Sequence, residues 1–129
     1  MSTLRTNALE GMDAKNSITI VAGAGNITTT NVQEGLCKAW VNFNGSGTIA
    51  IRTSFNVSGL TDSGTGDYLV GITNTFSDES AFVANGGNAG RPGNSTGNTS
   101  SIRVYCSNIS DDSVQDTAIV TMQAHGDLA

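Results

Sequence analysis

Residues 39–58 alternate in polarity on both sides of an Asn-Gly pair. Ala39, Val41 and Phe43 fall on one parity, Trp40, Asn42 and Asn44 on the other, and Ile49 and Ile51 resume the period of two after Asn44-Gly45. A strand with one buried face requires that alternation, and Asn-Gly is the dipeptide best suited to the positive φ angles of a type I′ turn. The run predicts a β-hairpin turning at Asn44 and Gly45. A chain that contains it must build a sheet around a buried face.

The rest of the chain repeats the theme. Strands are expected at 36–44, 48–58, 68–74, 81–85, 101–107 and 116–124, divided by Gly, Asn, Ser and Asp turns. Short strands at this spacing, with no sustained helical period, predict an all-β antiparallel sandwich or open barrel. The one proline, Pro92, lies in a Gly/Asn/Ser/Thr segment, 86–100, expected as a long outward-facing loop. Residues 1–35 read differently, as an N-terminal arm before a β-rich domain at 36–129. The arm holds a short strand at 17–22, where Ile18 and Ile20 alternate with Thr19, and a candidate second strand at 26–30. Its apolar side chains are too few for a core of its own. Docking on its own body, a neighbouring subunit or a larger particle is the expectation.

Composition points to partners. At 129 residues this is one domain, yet only 37% of residues are apolar, 5% aromatic and 13% charged. Disordered chains carry more charge and fewer β-branched residues, so an ordered, loop-rich protein with a thin core fits best. Trp40 lies opposite the Ala39, Val41 and Phe43 face, so it is expected to point outward, under a covering loop or a second subunit. The net charge of -5, with six scattered basic residues, argues against nucleic-acid binding. No apolar stretch approaches a membrane span, so no membrane insertion is expected. The N-terminus lacks the apolar core of a secretory signal, which makes a cytoplasm the expected place of synthesis. In that reducing setting Cys37 and Cys106 are expected as buried free thiols, a single bridge being the alternative.

Chemistry is sparse. His125 lies near the end of the chain without an evident partner, and two cysteines with one histidine make no zinc pattern. Asp78-Glu79 and Asp111-Asp112 read as solvated turn residues. Asp111, Asp112 and Asp116 lack the spacing and glycine of a calcium loop. Gly23/Gly25, Gly45/Gly47 and Gly64/Gly66 lack the lysine and helix of a phosphate loop. The Asn-x-Ser/Thr triplets beginning at Asn26, Asn44, Asn56, Asn94, Asn98 and Asn108 follow from composition. No catalytic, cofactor-binding or metal-binding residue is assigned, and the chain is not expected to be an enzyme. What remains is hydrogen-bonding surface: Asn88, Arg91, Asn94 and Asn98 are the candidate contacts for a glycan or cell surface. Ile18, Ile20 and Trp40 are the candidate subunit interface.

The run Ala-Trp-Val-Asn-Phe-Asn-Gly-Ser-Gly-Thr-Ile-Ala-Ile-Arg and its continuation through Thr61-Asp62-Ser63-Gly64-Thr65-Gly66-Asp67-Tyr68 resemble a domain that recurs in tail-fibre and related appendage proteins of bacteriophages, especially marine phages and cyanophages. The likeness extends over 36–129, including Ser101-Ile-Arg-Val-Tyr-Cys106 and the last strand before Gly126. The opening Met-Ser-Thr-Leu-Arg-Thr-Asn resembles the leaders of small marine-phage proteins with this domain. The resemblance implies a virion structural protein, β-rich and commonly a homotrimer at the distal end of a fibre, with no catalytic residues. A tail-fibre or tail-tip component on the virion surface is therefore expected, its arm meeting other virion proteins. A capsid decoration or cement protein is the alternative, and a free lectin or carbohydrate-active enzyme is the least supported reading.

Overall fold

The computed structural model describes residues 6, 8, 19–21, 29–31, 35–79, 82–88, 91–93, 95–108 and 110–129. The chain divides into two compact units, Met1–Leu36 and Cys37–Ala129. In the first, β1 (Thr19–Val21) and β2 (Thr29–Asn31) pair antiparallel, Ile20 opposite Thr30. Ile20 thus lies on a strand, whereas Ile18 lies outside the described residues.

The second unit is all-β, formed of two antiparallel sheets. Its strands are β3 (Cys37–Asn44), β4 (Ala50–Phe55), β5 (Val57–Gly64), β6 (Asp67–Ile72), β7 (Phe82–Asn88), β8 (Arg91–Gly93), β9 (Ser95–Asn98), β10 (Ser101–Tyr105) and β11 (Val120–Gly126). One sheet runs β4-β3-β11-β7-β8 and the other β5-β6-β10-β9. Period-two burial explains the strands: Ala39, Val41 and Phe43 in β3, Tyr68, Val70 and Ile72 in β6, Ile102 and Val104 in β10, and Val120, Met122 and Ala124 in β11 are all buried. These side chains, drawn from both sheets, form one cluster with Phe76 and Cys106. Phe43 meets Tyr68 edge to face at 5.1 Å between ring centroids, joining the two sheets through their largest fully buried side chains. Full burial of a side chain such as Phe43 contributes about 2–3 kcal/mol.

The backbone departs from the sequence reading at four places. The β3–β4 connection does not turn on Asn44-Gly45. Gly47 takes the positive φ (64°), Gly45 does not, and the loop spans five residues. The side chain of Asn44 shapes that loop, its Nδ2 donating to Ser46 O (2.7 Å) and Thr48 O (3.0 Å). Next, the strand expected at 48–58 is two strands, broken at Asn56, which sits at φ 57°. Asn56 holds this corner by donating from Nδ2 to Lys38 O (2.9 Å) and Asn74 O (3.1 Å) while Oδ1 accepts from Asn74 N (2.7 Å). Asparagine tolerates the left-handed region because its amide can bond locally. Third, the last strand begins at Val120, not at 116, because Gly66 N donates to Asp116 Oδ1 (2.7 Å) and Gly45 N to Thr117 O (2.9 Å), drawing 116–117 out of the ladder.

The fourth departure is the segment 86–100. It is largely strand: β7 runs to Asn88, β8 pairs back on it with Asn88 opposite Arg91, and β9 joins the other sheet against β10. Ladder pairing satisfies backbone polar groups that a polar, glycine-rich composition would otherwise leave to water.

Candidate functional site

The most distinctive surface lies on the β3–β4 hairpin. β4 ends the order of its sheet, and all six of its residues are exposed. Trp40 of β3 stands directly opposite Phe55 of β4, so both side chains share the face turned away from Ala39, Val41 and Phe43. They are 37% and 53% exposed, and Ile51 of the same edge strand is exposed as well. Trp40 and Phe55, two large apolar side chains on one outward face, form a surface fitted to contact, while Ile51 is exposed on the opposite face of the same strand. The outward orientation read for Trp40 is the one observed; Phe55 was not singled out, because the single strand expected at 48–58 concealed the edge.

A bulge shapes this edge. Asn42 pairs with Thr53 and Phe43 with Ile51, so Arg52 is the extra residue. Its guanidinium turns back over the hairpin, donating from Nη1 to Asn42 Oδ1 (3.1 Å) and from Nη2 to Ala118 O.

A second polar assembly ties the loops at one end of the sheets. The fully buried Tyr68 donates from Oη to Gly45 O at 2.5 Å, with Asp116 Oδ1 3.0 Å away. Cys106 N donates to Gly66 O (2.7 Å) and Gln115 N to Cys106 O (3.1 Å). Burial, reinforced by the Asp116 carboxylate, raises the ionisation of the Tyr68 phenol well above its ordinary range. Burial also pushes the Cys106 thiol up to about 11. Both groups are held neutral, which suits a structural tie and opposes use as a nucleophile or base. On the outer face of the four-stranded sheet, Arg103 forms a two-pronged pair with Asp67, from Nε to Oδ1 (2.8 Å) and from Nη2 to Oδ2, and lies over the Tyr105 ring at 5.2 Å. That hydrogen bond lowers the Asp67 carboxyl below its ordinary value.

Cys37 and His125 are register partners across β3 and β11, a juxtaposition that the sequence reading missed because the two lie 88 positions apart. The Cys37 thiol lies within hydrogen-bond reach of the carbonyls of Ala39 (3.2 Å) and Ala124 (3.5 Å). Those are acceptors for a thiol proton and do not form a nucleophile–base dyad. Cys37 and Cys106 are both free. Among the described residues no group of three His, Cys, Asp or Glu comes together to hold a metal ion, and no helix is long and apolar enough to cross a membrane.

The candidate glycan contacts are not gathered into one site by anything observed. Asn88 and Arg91 flank the β7–β8 connection as ladder partners, and Asn94 lies outside the described residues. Asn98 closes its own turn, Oδ1 accepting from Ser100 N (3.0 Å) and Ser101 N (2.9 Å). Such closures recur. Asn44 reaches Ser46, Asn108 accepts from Ser110 N (2.9 Å) and Asp111 from Ser113 N (3.1 Å). The triplets at Asn44, Asn98 and Asn108 are thus Asx turns, and much of the Asn/Ser content serves local backbone closure. Comparison with known protein families, curated proteins and solved structures finds no match to this chain.

Proposed function

We propose that this protein is a structural component of a bacteriophage virion, a tail-fibre or tail-tip subunit made in the host cytoplasm and displayed on the particle surface. The two sheets form a β-sandwich body that contacts the host cell, and the N-terminal arm joins it to other virion proteins. The resemblance of 36–129 to phage appendage domains supports the reading and implies a homotrimer. The observation that carries it is the exposed apolar pair of Trp40 and Phe55 on the outer face of the β3–β4 hairpin, which lies within the resembling region and suits a protein that works in a multi-chain assembly. Asn88 and Arg91 remain the candidate host contacts, since residues of these types suit sugar hydroxyls and anionic groups.

A capsid decoration protein is the second reading. It is favoured by the ladder pairing of 86–100 and the use of Asn98 in its own turn, which leave fewer free groups for a receptor. Adsorption of the phage to host cells preincubated with purified protein separates the two. A receptor-binding subunit blocks adsorption in a dose-dependent way. A decoration protein leaves adsorption unchanged, and particles lacking it lose thermal stability. A particle whose adsorption and stability are both indifferent to the protein contradicts both readings.

A further inference from the structure

We propose that β4 forms a twofold contact between two copies of this chain, its free edge pairing antiparallel with β4 of a second copy. The inference stands apart from the virion reading, because it follows from the strand's own pattern.

An open edge exposes a row of unpaired N–H and C=O groups, and proteins usually protect it with lysine, proline or a cover. β4, Ala50-Ile51-Arg52-Thr53-Ser54-Phe55, has no lysine or proline, and among the described residues nothing pairs with its outer edge. Its only charge, Arg52, is folded back onto Asn42 and Ala118.

The bulge then selects the partner. Phe55 and Thr53 share the outer face of Trp40 and Asn42, and Arg52 reaches Asn42 on that same face. Ser54 and Ile51 share the inner face of Val41 and Phe43, and Ala50 returns to the outer face beside Asn44. From 50 to 55 the faces therefore read out, in, out, out, in, out. This order is a palindrome about the midpoint of Arg52 and Thr53.

Directly opposed residues in an antiparallel pair always share a face, and a twofold axis perpendicular to the sheet carries each face onto itself. A regular strand can obey both conditions only if the axis passes through a residue. Here the extra residue places the axis between 52 and 53. The register then opposes Ala50 to Phe55, Ile51 to Ser54 and Arg52 to Thr53 of the second copy. An axis through Arg52 or Thr53 would oppose residues of unlike face, and the former would also set Arg52 against Arg52. In the permitted register Arg52 opposes Thr53, the two Arg52 guanidiniums being diagonal neighbours each turned back onto its own Asn42 and Ala118, and Phe55 faces a small alanine, extending the apolar row that starts at Trp40. A second copy carries the complete six-residue pattern in its own β4. Six paired residues fall short of the roughly 1,600 Å² of a standard interface, so the contact is weak alone and gains from the high local concentration of an assembly. Combined with a threefold axis, it would assemble six copies.

Disulfide trapping tests the register, because directly opposed strand positions fall within the Cα separation of a disulfide. Chains carrying Ile51→Cys and chains carrying Ser54→Cys are oxidised separately and as a mixture, with the unsubstituted chain as control for Cys37 and Cys106. The mixture is expected to give cross-linked heterodimer at ~10-fold the homodimer yield of either variant alone. Both positions are exposed, and far-UV circular dichroism verifies that the variants fold. Equal cross-linking by the single variants, or none above the control in concentrated protein, overturns the proposal.

Discussion

Gly45→Ala should cost this protein much of its stability, for a reason unrelated to turn conformation. Gly45 lies outside the left-handed region, so an alanine there meets no backbone penalty. It meets Tyr68 instead. A Cβ would fall 2.6 Å from Oη, 2.7 Å from Cζ and 3.0 Å from Thr117 O. Tyr68 cannot step aside, being fully buried and packed edge to face with Phe43. Overpacking of a filled core costs about 1–3 kcal/mol. If the hydroxyl is displaced, Gly45 O also loses the bond that it accepts at 2.5 Å, and an unsatisfied buried carbonyl costs a further ~1–3 kcal/mol. Allowing for partial relaxation, a loss of about 3 kcal/mol is expected. Urea unfolding should register it as a lower midpoint with an unchanged slope. The cause is isolated by repeating the substitution in a Tyr68→Leu background, where most of the penalty should vanish. A loss below ~0.5 kcal/mol, or an equal loss in both backgrounds, would refute the steric argument.

Asn56→Ala should lower stability by about 2 kcal/mol in the same assay, since it removes three side-chain bonds and places alanine at φ 57°. Asn56→Gly should recover the conformational part alone. Arg103→Ala should shift the midpoint by less than about 1 kcal/mol, because the Arg103 side of its pair with Asp67 is open to screening by solvent. Stability should also fall at alkaline pH. Cys106 and Tyr68 ionise later in the folded than in the unfolded chain, so their contribution is intact below the ordinary thiol value of 9.0 and is lost as pH rises toward about 11. Denaturation midpoints measured across pH should show that decline, flatter in Tyr68→Phe. At the acid end, Asp67 is held below its ordinary 3.8, and its contribution disappears as pH falls beneath that value.

The parts of the fold legible in sequence are those in which burial dictates residue type. Ala39, Val41 and Phe43 announced a core face, and Trp40 its reverse, because a half-buried strand alternates whatever its partners. β5 escaped notice for the converse reason: much of it is exposed, so Thr61, Asp62, Ser63 and Gly64 carry no apolar signal. The Asn-Gly pair at 44–45 was a sound turn signal, but Asn44 caps a longer loop through its side chain and hands the positive φ to Gly47. The candidate surface was half legible. Trp40 was visible as an outward tryptophan, whereas the Asn56 corner and the Arg52 bulge that leave β4 on the edge are backbone events with no periodic trace. Polar residues at 88, 91 and 98 looked free for a ligand because sequence cannot show a side chain bonding its own turn, as Asn98 does.

The virion assignment is tested most directly by a cryo-EM map of the intact phage particle. The account predicts density matching the two-sheet body of residues 37–129 at the tail tip or tail fibre, in multiples of three copies, with the arm directed into the particle. The same density on the head would transfer the protein to the decoration reading, and its absence from the particle would contradict the account.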